Sequence, residues 1–260
     1  MKPADRRQSL RPSSLLKNRI FSLLPESELT ELVPELERIK LDSGTDICMV
    51  GEAQTHVYFP TSCIISLQSD TESGKTAEIG VTGNEGYVGI GVAMGGNTTT
   101  YRASVASGGY AYRIKAAAFK KQLHKKGAFQ VQIFLYTQLL LTQMGINGVC
   151  NKHHSIDQQF LKLLLSTADR LNTHRLYLTQ EDLSNKLGVR RESVTQAASR
   201  FKKEGLITYS RGVIELIDRP QLEREVCECY AVMNREMRAM LNNSRPSKSA
   251  NTYTIASLPA

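Results

Sequence analysis

Between residues 190 and 203 five bases, Arg190, Arg191, Arg200, Lys202 and Lys203, stand against a single acid, Glu192. Ser193 and Gln196 are interleaved with them. Arginine can fork two donors onto a guanine edge, glutamine matches adenine, and glutamate accepts from cytosine. Lysines and arginines at the far end of such a set suit phosphates, which fix register without reading sequence. The chemistry on offer is therefore hydrogen bonding to a duplex, provided the side chains are presented together on one exposed face.

The elements that would present them can be read from TQEDLSNKLGVRRESVTQAASRF, residues 179–201. Thr179 followed three residues on by Asp182 is a capping-box arrangement that starts a helix. Leu183 and Leu187 face a core at i and i+4, Ser184 is small where a second helix must cross, and Gly188 lets the chain turn. Val189, Val194, Ala197, Ala198 and Phe201 then form the inner face of a second helix. This is the helix-turn-helix pattern. It leaves Arg190, Arg191, Glu192, Ser193, Gln196 and Arg200 on the outer face or first turn. Thr179 and Gln180, at the start of the first helix, are counted with them as candidate contacts. Residues 206–209 and 213–217 read as a hairpin turning at Ser210-Arg211-Gly212, a wing whose Arg211, with Tyr209 and Ser210, could reach backbone phosphate.

The global charge adds little. The 260 residues carry a formal net charge of +8. Residues 1–19 hold six bases against one acid and residues 235–260 hold four against one, so the body between is neutral. That makes the local excess at 190–203 more informative than the total. Hydrophobic content of 41% with 22% charged residues is that of an ordinary globular chain. Five scattered cysteines, Cys48, Cys63, Cys150, Cys227 and Cys229, do not make a disulfide scaffold. Leu15 and Leu16 are followed at once by Lys17 and Arg19, which ends any signal-type apolar run, and a cytoplasmic location is expected. Residues 127–151 contain no charge, yet Gln130, Gln132, Gln138, Gln143 and Asn147 are costly in hydrocarbon. A helix buried between two protein surfaces is the expectation, not a membrane span.

Along the chain, residues 20–36 read as helical, with a second helical turn starting near Ser27. Short β-runs at 46–50, 56–59, 62–69, 77–81, 101–106 and 110–114, separated by glycines, indicate a small antiparallel barrel or roll. Residues 115–151 are helical, with Phe129, Ile133, Tyr136, Leu140, Met144 and Asn147 as one stripe. One face of that helix should pack on the roll and another on the same helix of a second subunit. Asn151-Lys152-His153-His154 is a candidate hinge before an amphipathic helix at 155–172. After Pro220 a single helix is expected to about residue 241. Cys227 and Cys229, i and i+2 on that helix, would point to different faces, and His153-His154 have no acidic or thiol partner nearby except Cys150, so no metal site is expected. No phosphate loop, zinc-protease histidine pair or nucleophile elbow is present, which argues against an enzyme.

This order of parts resembles the Crp/Fnr superfamily of bacterial regulators over about residues 20–220. The most specific segments are LTQEDLSNKLGVRRESVTQAASRFKKEGLI and HVYFPTSCIISL. The resemblance implies an α+β chain: an N-terminal antiparallel β-roll, jelly-roll-like, with a long dimerisation helix, followed by a C-terminal winged helix-turn-helix. Arg191 and Glu192 match the family's base-reading pair, while a third family arginine falls on Gln196, implying a different operator. Arg190 stands where the family often has a serine or threonine cap. The cyclic-nucleotide pocket is degenerate. The glycine-glutamate pair becomes Gly89-Ile90, and the arginine-serine pair becomes Asn97-Thr98 with no arginine before Arg102, itself aligned with a strand. Met144-Gly145 replace the hydroxyls of the central helix. A buried phosphate without a cation is strongly unfavourable, so cAMP is not expected to bind. No cysteine lies in residues 1–47, which rules out the family's N-terminal iron–sulfur cluster.

The expected layout is a disordered basic arm at 1–19, the roll at 20–126, the central dimerisation helix at 127–152, the winged helix-turn-helix at 153–220, a C-terminal helix at 221–243 and a disordered tail at 244–260. The implied function is that of a homodimeric transcription regulator without a cofactor. Its partners would be a palindromic operator duplex, RNA polymerase and an unidentified effector, with no membrane. The rival reading is a small-molecule sensor or interaction module that does not bind DNA.

Overall fold

The computed structural model describes residues 13–243 apart from 73 and 75. The segment 1–12 of the expected arm and the expected tail lie outside the described residues. Residues 13–19 are not part of a loose arm. Leu15–Lys17 forms a 3-10 turn with Leu15 in the core, and Asn18 caps α1 (Arg19–Ser22) by accepting from the Ile20 amide. The buried Asn18 side-chain amide donates to the carbonyls of Pro60 and Gly86, each at 2.8 Å. One asparagine thus satisfies three backbone groups, and the roll domain begins before residue 20. The helix expected over 20–36 is broken into α1, α2 (Glu26–Leu32) and a 3-10 turn at Val33–Glu35. Pro25 and Pro34 account for both breaks.

The roll consists of β1 (Glu37–Leu41), β2 (Asp46–Cys48), β3 (His56–Pro60), β4 (Ile64–Asp70), β5 (Thr76–Thr82), the short α3 (Ile90–Ala93), β6 (Arg102–Ser107) and β7 (Gly109–Lys115). Two antiparallel sheets, β2-β6-β4-β5 and β1-β7-β3, enclose its core. Every expected β-run is present, with β1 in addition. β1 alternates charged and apolar side chains from Arg38 onward, and its place on β7 is held by Glu37 against Arg113 at 2.8 Å. Arg102 lies in β6, ion-paired to Asp46 and Asp70 at 3.2 Å each.

Two helices follow, α4 (Ala116–Leu123) and α5 (Ala128–His153), where a continuous run was expected. Lys126 takes φ 57° and Gly127 is packed on Glu28, whose carboxylate accepts from the amides of Ala128 and Phe129 at 2.8 Å. The N-terminus of α5 is therefore capped by an acid borrowed from α2. Phe129, Ile133, Tyr136 and Leu140 of α5 are buried against the roll as their spacing predicts. They close an aromatic cluster in which Phe59 lies 4.6 Å from Phe21 and Tyr87 lies 5.4 Å from Tyr136. The other side of α5 is open. Val131, Phe134, Leu141 and Val149 are 50%, 45%, 56% and 56% exposed, values that mark an apolar face without a partner in the single chain. By length and composition α5 could cross a membrane, but its roll-facing stripe is committed to protein.

The C-terminal part comprises α6 (Ile156–Leu171), β8 (Arg175–Tyr177), α7 (Gln180–Leu187), α8 (Arg191–Lys203), β9 (Ile207–Ser210), β10 (Val213–Leu216), α9 (Arg219–Glu225) and α10 (Glu228–Asn243). Its core is separate from that of the roll and includes Phe160, Leu164, Leu183, Val194, Phe201 and Ile214. The helix expected after Pro220 is in fact two, because Val226 is extended at ψ 150°. α9 anchors Leu222 in the C-terminal core. α10 places Tyr230 there too but sends Met233 and Met240 into the roll core, tying the two halves together. The architecture is α+β, a β-roll with a long helix followed by a winged helix-turn-helix.

Candidate nucleic-acid interface

α7 starts at a complete capping box. The Asp182 amide donates to Thr179 Oγ1 at 3.1 Å, and the Thr179 amide donates to Asp182 Oδ2 at 2.8 Å. It ends at Gly188, which takes φ 64° and donates its amide to the Ser184 carbonyl. Left-handed backbone at that position turns the chain directly into α8, as the residue order predicts. α8 begins after Arg190, which offers no side-chain cap. Val194, Ala197, Ala198 and Phe201 are buried, and Phe201 stacks on Phe160 at 6.0 Å with ring planes 1° apart. With that side fixed, Arg190, Arg191, Glu192 and Gln196 are exposed and Ser193 is half-buried. Free amides at the N-terminus of α8 and two arginines there form an anion-seeking end.

Neighbouring side chains settle which of these groups are uncommitted. Arg191 Nε donates to Gln180 Oε1 at 3.1 Å, so Gln180 orients the arginine across the two helices. Arg200 is engaged by three carboxylates: Asp157 at 2.6 Å, Glu204 at 3.0 Å and Glu225 at 3.1 Å. These acids raise the guanidinium pKa above its ordinary value, led by the hydrogen bond to Glu204. Arg200 therefore braces α8 to α6 and α9, whereas the sequence placed it among the contacts. In the wing, Arg211 and Gly212 take φ 50° and 77°, the two positive values of a type I′ hairpin. Arg211 is exposed at the tip. Tyr209 instead turns its hydroxyl inward, donating to the Leu178 carbonyl at 3.2 Å. Leu178 in turn donates its amide to the Gly212 carbonyl, which seats the wing beside Thr179.

The reading head is docked on the roll by contacts that the sequence did not reveal. Arg170 of α6 meets Glu85 at 2.8 Å, both almost fully buried, and Lys186 of α7 meets Glu78 of β5 at 2.8 Å. Glu78 also accepts from Ser66 Oγ. The four residues border a cavity of about 870 Å³ between the two halves. A body of neutral net charge conceals such complementary pairs, and nothing local marks Glu78 or Glu85 as special.

The five expected effector positions do not form one pocket. Gly89 is buried at φ 126° and lines, with Gln54 and Tyr58, a cavity of only about 120 Å³. Ligand pockets for drug-sized molecules start near about 300 Å³. Asn97 and Thr98 are exposed, and their segment folds over α3: the Gln54 amide donates to the Asn97 carbonyl at 2.6 Å, and a side chain on Gly91 would meet the Thr98 carbonyl. Ile90 opens α3. Met144 sits elsewhere, over Gly80 of β5, beside Gln143, whose Oε1 accepts from the Val81 amide at 2.7 Å. Where the roll meets α5 the space is filled by Tyr87 and Tyr136, whose hydroxyls pair with Thr137 and Thr82 at 2.6 and 2.8 Å.

A second constellation contradicts the sequence reading of the cysteines. Cys227 lies in the break between α9 and α10, not inside a helix, so Cys227 and Cys229 are free to turn the same way. With Cys150 and His154 they form one cluster whose sulfur and nitrogen atoms all lie within 4.8 Å of one another. The signal was present in Cys150 and His154, i and i+4 at the end of one helix, but no spacing rule connects them to residues 227 and 229.

The Crp-like helix-turn-helix domain family matches residues 158–225. No curated protein gives a significant match to the chain. Among solved structures the chain is similar to FixK2 from Bradyrhizobium japonicum, at 15% identity and TM-score 0.65, over 74% of this chain and 98% of that one. It is also similar to the c-di-GMP responsive global regulator CLP of Xanthomonas campestris, at 12% identity and TM-score 0.63, over 75% and 100% of the two chains. A CRP-family transcriptional regulator from Thermus thermophilus aligns at 16% identity and TM-score 0.61, over 72% and 95%. At these identities the likeness is one of fold.

Proposed function

We propose that this chain, which has the fold of the Crp/Fnr regulators and whose residues 158–225 belong to the Crp-like helix-turn-helix family, is a cytoplasmic, homodimeric, sequence-specific DNA-binding transcription regulator. The observation that carries the reading is the exposed, cationic face of α8, held outward by a buried apolar face and a fully capped α7. Arg191, Glu192 and Gln196 read base edges in the major groove. Arg190, Ser193, Thr179, Gln180 and the wing-tip Arg211 hold phosphates or orient the readers.

The dimer rests on α5. Val131, Phe134, Gln138, Leu141, Gly145 and Gly148 are all exposed and follow one another at steps of three and four, the a/d spacing of a coiled-coil seam. The glycines near its end have open space around them and allow close approach. A two-fold pairing of this seam carries two α8 helices toward half-sites about 34 Å apart on a palindromic operator. RNA polymerase is a further partner if the bound protein activates transcription. The effector is not cAMP. The Asn97-Thr98 segment carries no arginine, the nearby Lys120 ammonium donates from the surface to the Gly96 carbonyl at 3.2 Å, and the roll–helix interface is filled by tyrosines. A role as an interaction module without DNA binding leaves the grouping of Arg190, Arg191 and Gln196 without purpose.

Selection of duplexes from a random library tests the reading. Wild-type protein should enrich one inverted repeat, and Arg191→Ala should lose discrimination at one symmetric position. Failure of the wild type to enrich any sequence would overturn it.

A further inference from the structure

Four side chains from two separate parts of the chain converge beneath the hinge. Cys150 lies in the last turn of α5 and His154 is the residue that ends it. Cys227 bridges α9 and α10, and Cys229 lies in the first turn of α10. The three thiols are buried, at 0%, 3% and 5% exposure, so solvent does not compete for them. Cys150 Sγ is 3.7 Å from Cys227 Sγ, and Cys229 Sγ is 3.6 Å from His154 Nδ1.

Those two separations match edges of a zinc tetrahedron, and the remaining ones do not exceed 4.8 Å. Thiolates about 2.3 Å from a zinc ion lie about 3.8 Å apart, and a thiolate and an imidazole nitrogen about 3.6 Å apart. The sulfur atoms are far beyond disulfide bonding distance, and all five cysteines are free thiols. An iron–sulfur cluster of several irons would hold its ligands further apart than one ion does. The histidine supplies an independent indication. Its outer nitrogen, Nε2, faces the Glu228 carboxylate at 3.2 Å. A proton held there leaves the Nδ1 lone pair directed at the thiols, the carboxylate–histidine arrangement that supports a metal ligand. The backbone of the hinge is fixed as well: Gln159 Nε2 donates to the His154 carbonyl at 2.9 Å, and the His154 amide donates to the Cys150 carbonyl at 3.0 Å. Packing alone gives no reason for a carboxylate to orient an imidazole toward three buried thiols.

We propose that Cys150, His154, Cys227 and Cys229 bind a single tetrahedral divalent ion, zinc by its sulfur-rich donor set. Four protein ligands close the coordination sphere, so the site is structural and not hydrolytic. The ion fastens the end of α5 to the start of α10, which reaches both cores through Tyr230, Met233 and Met240. It thereby fixes the hinge that sets the reading head on the central helix. This site stands apart from the DNA reading and is tested by metal, not by operator.

The experiment is metal analysis and cobalt substitution of the full chain, purified under reducing conditions. Wild-type protein should carry about one equivalent of zinc per chain. Replacement by cobalt(II) should give the intense red-region d–d bands of a tetrahedral site and a thiolate-to-metal charge-transfer band. Cys229→Ser and His154→Asn should lose those bands, while Cys48→Ser, outside the cluster, should keep them. Glu228→Gln retains all four ligands and should keep the stoichiometry while weakening zinc affinity by about 10- to 100-fold. Circular dichroism identifies any variant that fails to fold, and the wild-type stoichiometry and cobalt spectrum together with Glu228→Gln then decide. Binding of less than about a tenth of an equivalent by reduced, folded wild-type protein supplied with zinc would overturn the proposal. So would an octahedral cobalt spectrum, or a Cys150–Cys227 disulfide in place of the metal.

Discussion

Arg191 and Arg200 sit on the same helix and have the same chemistry, yet their surroundings assign them different work. Arg191 has one neutral partner, Gln180, and remains open to solvent. Arg191→Ala should therefore cost about 1–3 kcal/mol in specific binding, concentrated at one base step, with little change in stability. Arg200 is spent on Asp157, Glu204 and Glu225. Arg200→Ala should leave base preference intact and lower stability by about 1 kcal/mol, since the pairs are half-exposed. Parallel duplex-binding and urea titrations of the two variants separate the roles. The capping box at Thr179 and the turn at Gly188 could be read from residue order because both interactions close within a few residues. The fate of Arg200 could not, since two of its partners lie 43 and 25 residues away. The same is true of the Cys150 and Cys227 thiols, separated by 77 residues.

At the scale of elements, α5 carries both the stripe that closes the roll and the seam of the proposed dimer. Its inner stripe needs Gly86, where any Cβ would fall 1.9 Å from the Tyr136 ring. Gly86→Ala should destabilise the roll by about 2 kcal/mol or more, because the ring is fully buried and cannot move aside. Thermal unfolding would show it. The outer stripe makes the opposite prediction. Leu141→Glu should leave folding intact but dissociate the proposed dimer and lower operator affinity at least about tenfold, as seen by sedimentation and gel shift. Apolar periodicity gave both the existence of α5 and its inner face. Periodicity also explains the misreading of the C-terminal helices. Leu222, Val226, Tyr230, Met233, Met237 and Met240 follow at steps of three and four across the break at Val226, so two helices read as one. β8 was missed because three residues carry no period; its backbone pairs with β10.

In the whole molecule, two cores are held in one arrangement by α10 and by the pairs Arg170–Glu85 and Lys186–Glu78. The first pair is almost completely enclosed. Glu85→Ala strands a buried guanidinium and should cost about 3–5 kcal/mol in a denaturant titration, whereas a surface pair would cost far less. The order of the domains was evident from composition and motif, but their docking was not, because it depends on charges brought together only by the fold. The proposed reading of DNA requires two outward α8 helices in fixed relation. The most direct measurement is the stoichiometry and symmetry of the complex on the duplex selected from a random library, by sedimentation and footprinting. Two chains on one inverted repeat, with half-sites about one helical turn apart, are the expected result. A single chain on a lone half-site, or binding without sequence preference, would contradict a dimeric reader of DNA.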